Sequence, residues 1–365
     1  MKKVKMIVTN RYDPDVRVHK EAKYLVSKGC DVEILCWDRE NEYTEKKSEK
    51  IDGVRVRRFF PYSQYGSGIK QVGAFYKFVI EVKKYLSKTE YQYLHCHDLD
   101  GIISGFFSNV NKRQLIFDMH EYYEIQKKNK KIRPLIKIIV DYLQTKSNHI
   151  IYVNEIQINS VNKFNQNKLQ YLPNYPEKDS YMEISKEASQ KLRIAYIGVV
   201  RQYTELKNLM DACKEIDGVE ISVHGGGVAF QSLKKIESEY NNVEISGVFP
   251  YSSIGELYSK ADILYVVYSS SNEQHMKSYP VKFFEAIITK TPVIVNKGSV
   301  LEEFLNEHNI GFVINSDNVQ DIKRLINSIV NNRSILIDKR NSLAAIQYNY
   351  SWEKVVKNLD KIYKT

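Results

Sequence analysis

Residues Ser278–Val295 read SYPVKFFEAIITKTPVIV, and how they fold decides how the whole chain is read. Pro280 suits the first turn of a helix, where its missing N–H costs nothing. Phe284, Ile287 and Ile288 then fall on one helical face. Lys290-Thr291-Pro292 ends that helix just before the apolar run VIV. On such a helix Lys282 and Glu285 are three residues apart, so both lie on one face near its opening end. Spacing alone favours a solvated ion pair worth about 0.3 kcal/mol. The competing reading has Glu285 accepting hydrogen bonds from a bound diol, while Lys282 and the helix start face an anion.

The same alternation extends in both directions. VKMIVT, VEILCW, VRVRRF, YQYLHC, LIFDMH and HIIYVN read as buried strands in the first half. Helical spacing separates several of them, as in Val16–Lys28 and Gly73–Leu86. LPNYPEKDSY, from Leu172, carries two prolines and no apolar period, so it reads as a linker. LRIAYIG, VEISVHG, NVEISG, ADILYVV, TPVIV and GFVIN then form a second series. Short continuous strands between amphipathic helices predict parallel sheets covered on both faces. The expected class is therefore α/β, with two Rossmann-like domains facing across a cleft. Ligands are expected at the carboxyl ends of the strands. The final segment SWEKVVKNLDKIYKT places Trp352, Val355, Val356, Leu359, Ile362 and Tyr363 on one helical face. The expected boundaries are 1–172, 173–345 and a C-terminal helix, 346–365, returning to the first domain.

A chain of 365 residues with 43% hydrophobic content favours two cores over one and excludes wholesale disorder. Its four cysteines are scattered with no CxxC pair, which argues against a zinc or disulfide framework and fits a reducing cytosol. The amino terminus lacks the apolar length of a secretory signal, and no run approaches a membrane span. A soluble, cytoplasmic protein is expected. The formal net charge of +10 asks for an anionic partner, or reflects a Lys-, Asn- and Tyr-rich composition. No nucleic-acid recognition motif accompanies it, so a nucleic-acid partner is not expected.

Titratable groups gather where strands should end. RIAYIGVVRQYTELKNL closes a strand at Gly198, places Arg201 in the following loop and carries Lys207 on the next helix, a suitable dock for a phosphate. Gly225-Gly226-Gly227 after VEISVH fits either close approach of a ligand or a tight turn. In the first half, HCHDLDGI supplies His97, Asp98 and Asp100. FDMHEYYE supplies Asp118, His120 and Glu121. YDPDVRVHKEA adds Arg17, His19 and Lys20, with Asp13 or Asp15 as a helix cap. Such clusters at strand ends are the usual tenants of a binding crevice.

DPDVRVHKEA, HDLDG, FDMHEYYE, YIGVVR…LKNL and PVKFFEAIITKTPVI together resemble, in order, the motifs of family 4 glycosyltransferases of the GT-B fold. The resemblance implies a metal-independent hexosyl transfer from a UDP- or GDP-linked sugar, with no further cofactor, to a saccharide or polyprenyl-linked acceptor in cell-surface or capsular polysaccharide synthesis. It implies retention of anomeric configuration. Glu285 matches the glutamate on the donor ribose, and Arg201 and Lys207 match the basic pair on the diphosphate. His120 matches the histidine lying against the transferred sugar. Gly198, Lys277, Val281 and Lys282 complete the expected donor set; Arg17, His97, Asp98, Asp118 and Glu121 form the expected acceptor or cleft set. Two departures stand out. Lys277 occupies the place where many relatives carry a second glutamate, and NRYDPD stands where a glycine-rich loop is common. A nucleotide-sugar epimerase and a non-catalytic partner subunit are the rival expectations. Finally, Lys127–Leu143 combines six cations between Lys127 and Lys137 with one apolar side. That pattern fits either a core-packed helix or one lying on an anionic membrane.

Overall fold

The computed structural model describes residues 1–123, 130–181, 186–187 and 189–364. They fall into two compact units, 1–174 with 356–365, and 175–355.

The first unit is built on an eight-stranded sheet, ordered β3-β4-β2-β1-β5-β6-β7-β8. The strands are β1 (Lys3–Val8), β2 (Asp31–Trp37), β3 (Ser48–Ile51), β4 (Val54–Phe59), β5 (Tyr93–His97), β6 (Gln114–Met119), β7 (His149–Tyr152) and β8 (Leu169–Tyr171). All pair in parallel except β3, which folds back on β4. The central strands are buried on both faces, as in Val4–Val8. That requires helices on both sides and explains the continuous apolar runs. The second unit carries a six-stranded, all-parallel sheet ordered β11-β10-β9-β12-β13-β14. Its strands are β9 (Leu192–Ile197), β10 (Val219–His224), β11 (Val243–Ser246), β12 (Ile263–Val266), β13 (Val293–Asn296) and β14 (Gly311–Ile314). Strand order reverses direction beside β1 in one sheet and beside β9 in the other. Open parallel sheets form their binding crevices at such switch points.

The twelve strands expected from the sequence are all present, displaced by a residue or two at their ends. The structure adds β3 and β8, an exposed edge and a three-residue strand that carry no continuous apolar run. It also corrects the single C-terminal helix. That segment is two short helices, Trp352–Val355 and Asn358–Tyr363, broken where the chain leaves the second unit for the first. Trp352 and Val355 are spent in one core; Leu359, Ile362 and Tyr363 are spent in the other. The four cysteines are buried and free. No helix among the described residues is long and apolar enough to cross a membrane. Of the cationic segment, Arg133–Lys146 is helical, while residues 124–129 lie outside the described residues.

Candidate functional site

In the first unit the ends of β1, β5 and β6 converge on Asp118, which is fully buried at the end of β6. Asp15 caps the helix Val16–Ser27 through the Val18 N–H, and that helix aims Arg17 inward. Arg17 donates to both Asp118 oxygens, at 2.9 and 3.0 Å from Nη2, and to the Leu172 carbonyl at 3.0 Å. His97 Nδ1 is 3.1 Å and His120 Nε2 3.0 Å from the same carboxylate. The other nitrogen of His120, Nδ1, is 3.2 Å from Asp98 Oδ2. Asp98 opens the helix Asp98–Ser108 at φ +63°, and Tyr123 donates to it at 3.1 Å.

This geometry fixes protonation. Ionised carboxylates only accept, so a ring held between two of them donates from both nitrogens and is an imidazolium. Burial opposes that charge, but Asp98 and Asp118 outweigh it and hold His120 well above the ordinary histidine value. Burial would likewise raise the Asp118 carboxyl, yet Arg17 and His120 keep it well below its usual range. His97, desolvated and beside His95, is pushed down to about 3 and stays neutral. Glu21 is pushed up to about 8 by burial and by Asp118, against the pull of Arg17. With Glu21 protonated, Asp98 and Asp118 balance Arg17 and His120.

Glu21, His95, His97 and Asp118 place ligand-type atoms within 4.8 Å of one another. Arg17 already supplies the positive charge in this set, with Nε 3.2 Å from Glu21 and 3.3 Å from Asp118. The arrangement therefore suits a guanidinium better than an added metal ion. Above it opens a crevice of about 410 Å³, lined by Thr9, Asp15, Arg39, Gln71, Asp98 and His120 among others. Glu121 is exposed and does not line this crevice; its carbonyl accepts from Gln157 at 3.1 Å.

In the second unit the helix Val281–Ile288 starts one residue after Pro280, whose extended backbone (φ −72°, ψ 151°) makes it the cap position. Val281 is its first residue, and Lys282 and Glu285 do not pair as the spacing alone favoured. Glu285 is buried instead. Its Oε1 accepts from the Tyr181 hydroxyl at 2.6 Å and its Oε2 from Tyr258 at 2.9 Å. Tyr181 meets Tyr251 at 2.9 Å.

Lys282 points the other way, its Nζ 3.7 Å from the centre of the Tyr196 ring, a cation–π contact. A side chain at Gly198 would meet Lys282 Cε and Nζ at 3.3 Å, so the glycine leaves the ammonium at the open end of β9. Burial pushes Lys282 down to about 7; Glu285 pulls it up and Arg201 pushes it further down. The Tyr196 hydroxyl lies 2.7 Å from the Val199 carbonyl and 2.8 Å from the Gln202 side chain, which braces the loop carrying the exposed Arg201. The cations that sense one another are thus Arg201 and Lys282. Lys207 is ion-paired with Asp211 at 2.6 Å, one turn along its own helix. Lys277 follows the short helix Glu273–Met276 and pairs with Glu273 at 3.0 Å, both half exposed. The triple glycine packs rather than opens. A Cβ on Gly225 would lie 2.0 Å from the Gly198 carbonyl oxygen, and one on Gly227 2.4 Å from that of Val200.

The tyrosines around Glu285 and Lys282, and Arg39 in the first crevice, were not singled out from the sequence. In a chain with 27 tyrosines, no local pattern distinguishes Tyr181, Tyr196 or Tyr258. The available signal was indirect: a buried glutamate demands hydroxyl or N–H donors.

Residues 177–350 match the family model described as glycosyl transferases group 1. No curated protein matches the chain in sequence. Solved structures similar to it include the sucrose-phosphate synthase of Thermosynechococcus elongatus, at 14% identity and TM-score 0.77, covering 100% of this chain and 98% of that one. Anabaena HepE, solved with UDP and glucose, aligns at 12% identity and TM-score 0.71 with full coverage of both chains. WaaG, a glycosyltransferase involved in lipopolysaccharide biosynthesis, aligns at 11% identity and TM-score 0.69, covering 98% and 99%. At these identities the likeness establishes the fold, which is GT-B as expected.

Proposed function

Taking as premise that residues 177–350 form a group 1 glycosyl transferase domain, we propose that the chain moves a sugar from a nucleoside-diphosphate donor to a saccharide hydroxyl. The observation that carries this reading is the arrangement at the end of β9. The Val281–Ile288 helix carries a buried carboxylate, Glu285, and Lys282, which senses Arg201 of the loop after β9, and neither cation has a carboxylate ion pair among the described residues. A ribose diol suits Glu285, and a diphosphate suits Lys282 and Arg201. Departure of the nucleoside diphosphate develops negative charge on the leaving oxygen, which those cations stabilise without rearranging. Lys207 joins that group once the Asp211 pair is exchanged for the ligand. Lys277 and Val281 border the sugar, and Gly198 admits the ligand close to the backbone.

In the first unit, the crevice beside His120 offers carboxylate, amide and guanidinium groups suited to a polyol acceptor. His120, already doubly protonated, acts there as a fixed positive charge and not as a base. The acceptor proton then passes to the departing phosphate on the same face, which retains anomeric configuration and calls for no metal. A lipid-linked saccharide at the cytoplasmic membrane face, as in capsule or other cell-surface polysaccharide synthesis, is the acceptor class we favour. The likeness to HepE makes UDP-glucose the first donor to test. Incubation with UDP-sugars and a saccharide panel is expected to release UDP only when acceptor is added. Donor turnover into an epimer without acceptor would instead identify an epimerase.

A further inference from the structure

The helices Val72–Leu86, Asp98–Ser108 and Arg133–Lys146 pack side by side in the first unit. Their apolar inner faces are used: Phe78, Val82, Ile102, Val140 and Leu143 all enter the core. Their outer faces are also apolar. Nine of the 20 exposed large hydrophobic residues among the described residues lie on these helices or at their ends, including Tyr76, Phe107, Leu135, Ile138 and Tyr142, each at least half exposed. Continuity across the layer is supplied by Phe106, whose ring centre is 5.2 Å from Phe107 and 5.6 Å from Tyr142. A water-facing helix does not gain from such a face, and patches of this kind mark surfaces that meet a partner.

Charge says which partner. Residues 72–88 carry Lys77, Lys83, Lys84 and Lys88 against one acid, Glu81. Residues 131–146 carry Lys131, Arg133, Lys137 and Lys146 against Asp141. The middle helix adds Asp98 and Asp100 in its first turn, so the three helices and their ends carry eight cations to four acids around an aromatic and aliphatic face, the composition of a surface that seats in the headgroup region of an anionic bilayer. A second copy of the chain would set these like charges against each other. We propose that this three-helix face docks the protein on an anionic lipid surface. The inference rests on surface residues of the first unit alone and stands independently of the transferase reading.

The test is co-sedimentation of the full chain with vesicles of phosphatidylcholine alone and with added phosphatidylglycerol. Binding is expected only to the anionic vesicles, with release at high salt. Ile138→Asp combined with Tyr142→Asp is expected to lower partitioning by about tenfold or more, and Lys84→Glu with Lys146→Glu by a similar factor. All four positions are exposed, so thermal unfolding and UDP binding should be unchanged in both variants. Equal binding to neutral vesicles, or binding indifferent to both variants, would overturn the proposal. So would absence of vesicle binding with a concentration-dependent dimer that Ile138→Asp abolishes, which would assign the face to a second copy.

Discussion

At the strand ends of the first unit, charges meet opposite charges: Asp118 holds Arg17 and His120, and Asp98 closes the second side of His120. At the strand ends of the second, Lys282 and Arg201 form no carboxylate ion pair among the described residues, and the buried Glu285 is held by tyrosine hydroxyls instead. The first cluster is balanced before any ligand arrives, so its charges serve to fix side-chain positions. The second leaves two cations near one another, and their mutual repulsion is relieved when an anion binds. One region is a preorganised platform; the other is a pair of neighbouring cations suited to an anion.

Breaking the balanced cluster has the largest expected effect. Asp118→Ala leaves the Arg17 guanidinium buried without its partner and should destabilise the protein by about 3–5 kcal/mol, read by urea or thermal unfolding. A loss below about 1 kcal/mol would mean that the cluster is not the internal brace described here. Breaking the unbalanced region should remove activity, sparing stability at the exposed Arg201 and costing about 1–3 kcal/mol at Glu285, where buried tyrosine hydroxyls lose their acceptor. Glu285→Ala and Arg201→Ala are each expected to lower transfer by roughly 10²–10³, with circular dichroism unchanged; near-normal rates in either would reassign these residues.

A subtler change sharpens the comparison through pH. Asp98 and Asp118 together raise His120, so removing one carboxylate lowers its pKa. Asp98→Asn should move the alkaline limb of the activity profile to lower pH by about one unit. An unchanged limb would show that the imidazolium does not contribute to transfer. The smallest effect is expected at Lys277, whose pair with Glu273 is half exposed. Lys277→Ala should alter stability by less than about 0.5 kcal/mol, so any loss of transfer can be assigned to donor recognition and not to folding.

Strands were legible because parallel strands buried on both faces need uninterrupted apolar runs, and VEILCW or ADILYVV satisfy nothing else as economically. β3 and β8 were not legible, since an exposed edge strand and a three-residue strand leave no such run. The strand-end positions of His97, Asp98, Asp118, His120, Gly198 and Arg201 were visible from motif order alone. Their partnerships were not. Glu285 reads locally as one half of an ion pair with Lys282, and only the tertiary arrangement brings Tyr181 and Tyr258, far away in sequence, to its oxygens. The C-terminal segment keeps one helical period in sequence, yet it is shared between two cores and breaks at the crossing.

The most direct measurement is a calorimetric titration of the unaltered chain and of Lys282→Met with UDP at pH 8, in two buffers of different ionisation enthalpy. Lys282, held down to about 7 in the free protein, is mostly neutral at that pH. A diphosphate beside it restores the charged form, so binding should draw about one proton per site from the buffer. The same linkage makes affinity fall as pH rises above about 7. Saturable UDP binding with proton uptake, and loss of both in Lys282→Met, is the predicted result. Absence of UDP binding by the unaltered chain, or binding that is equally tight and takes up no proton in both proteins, would contradict the account.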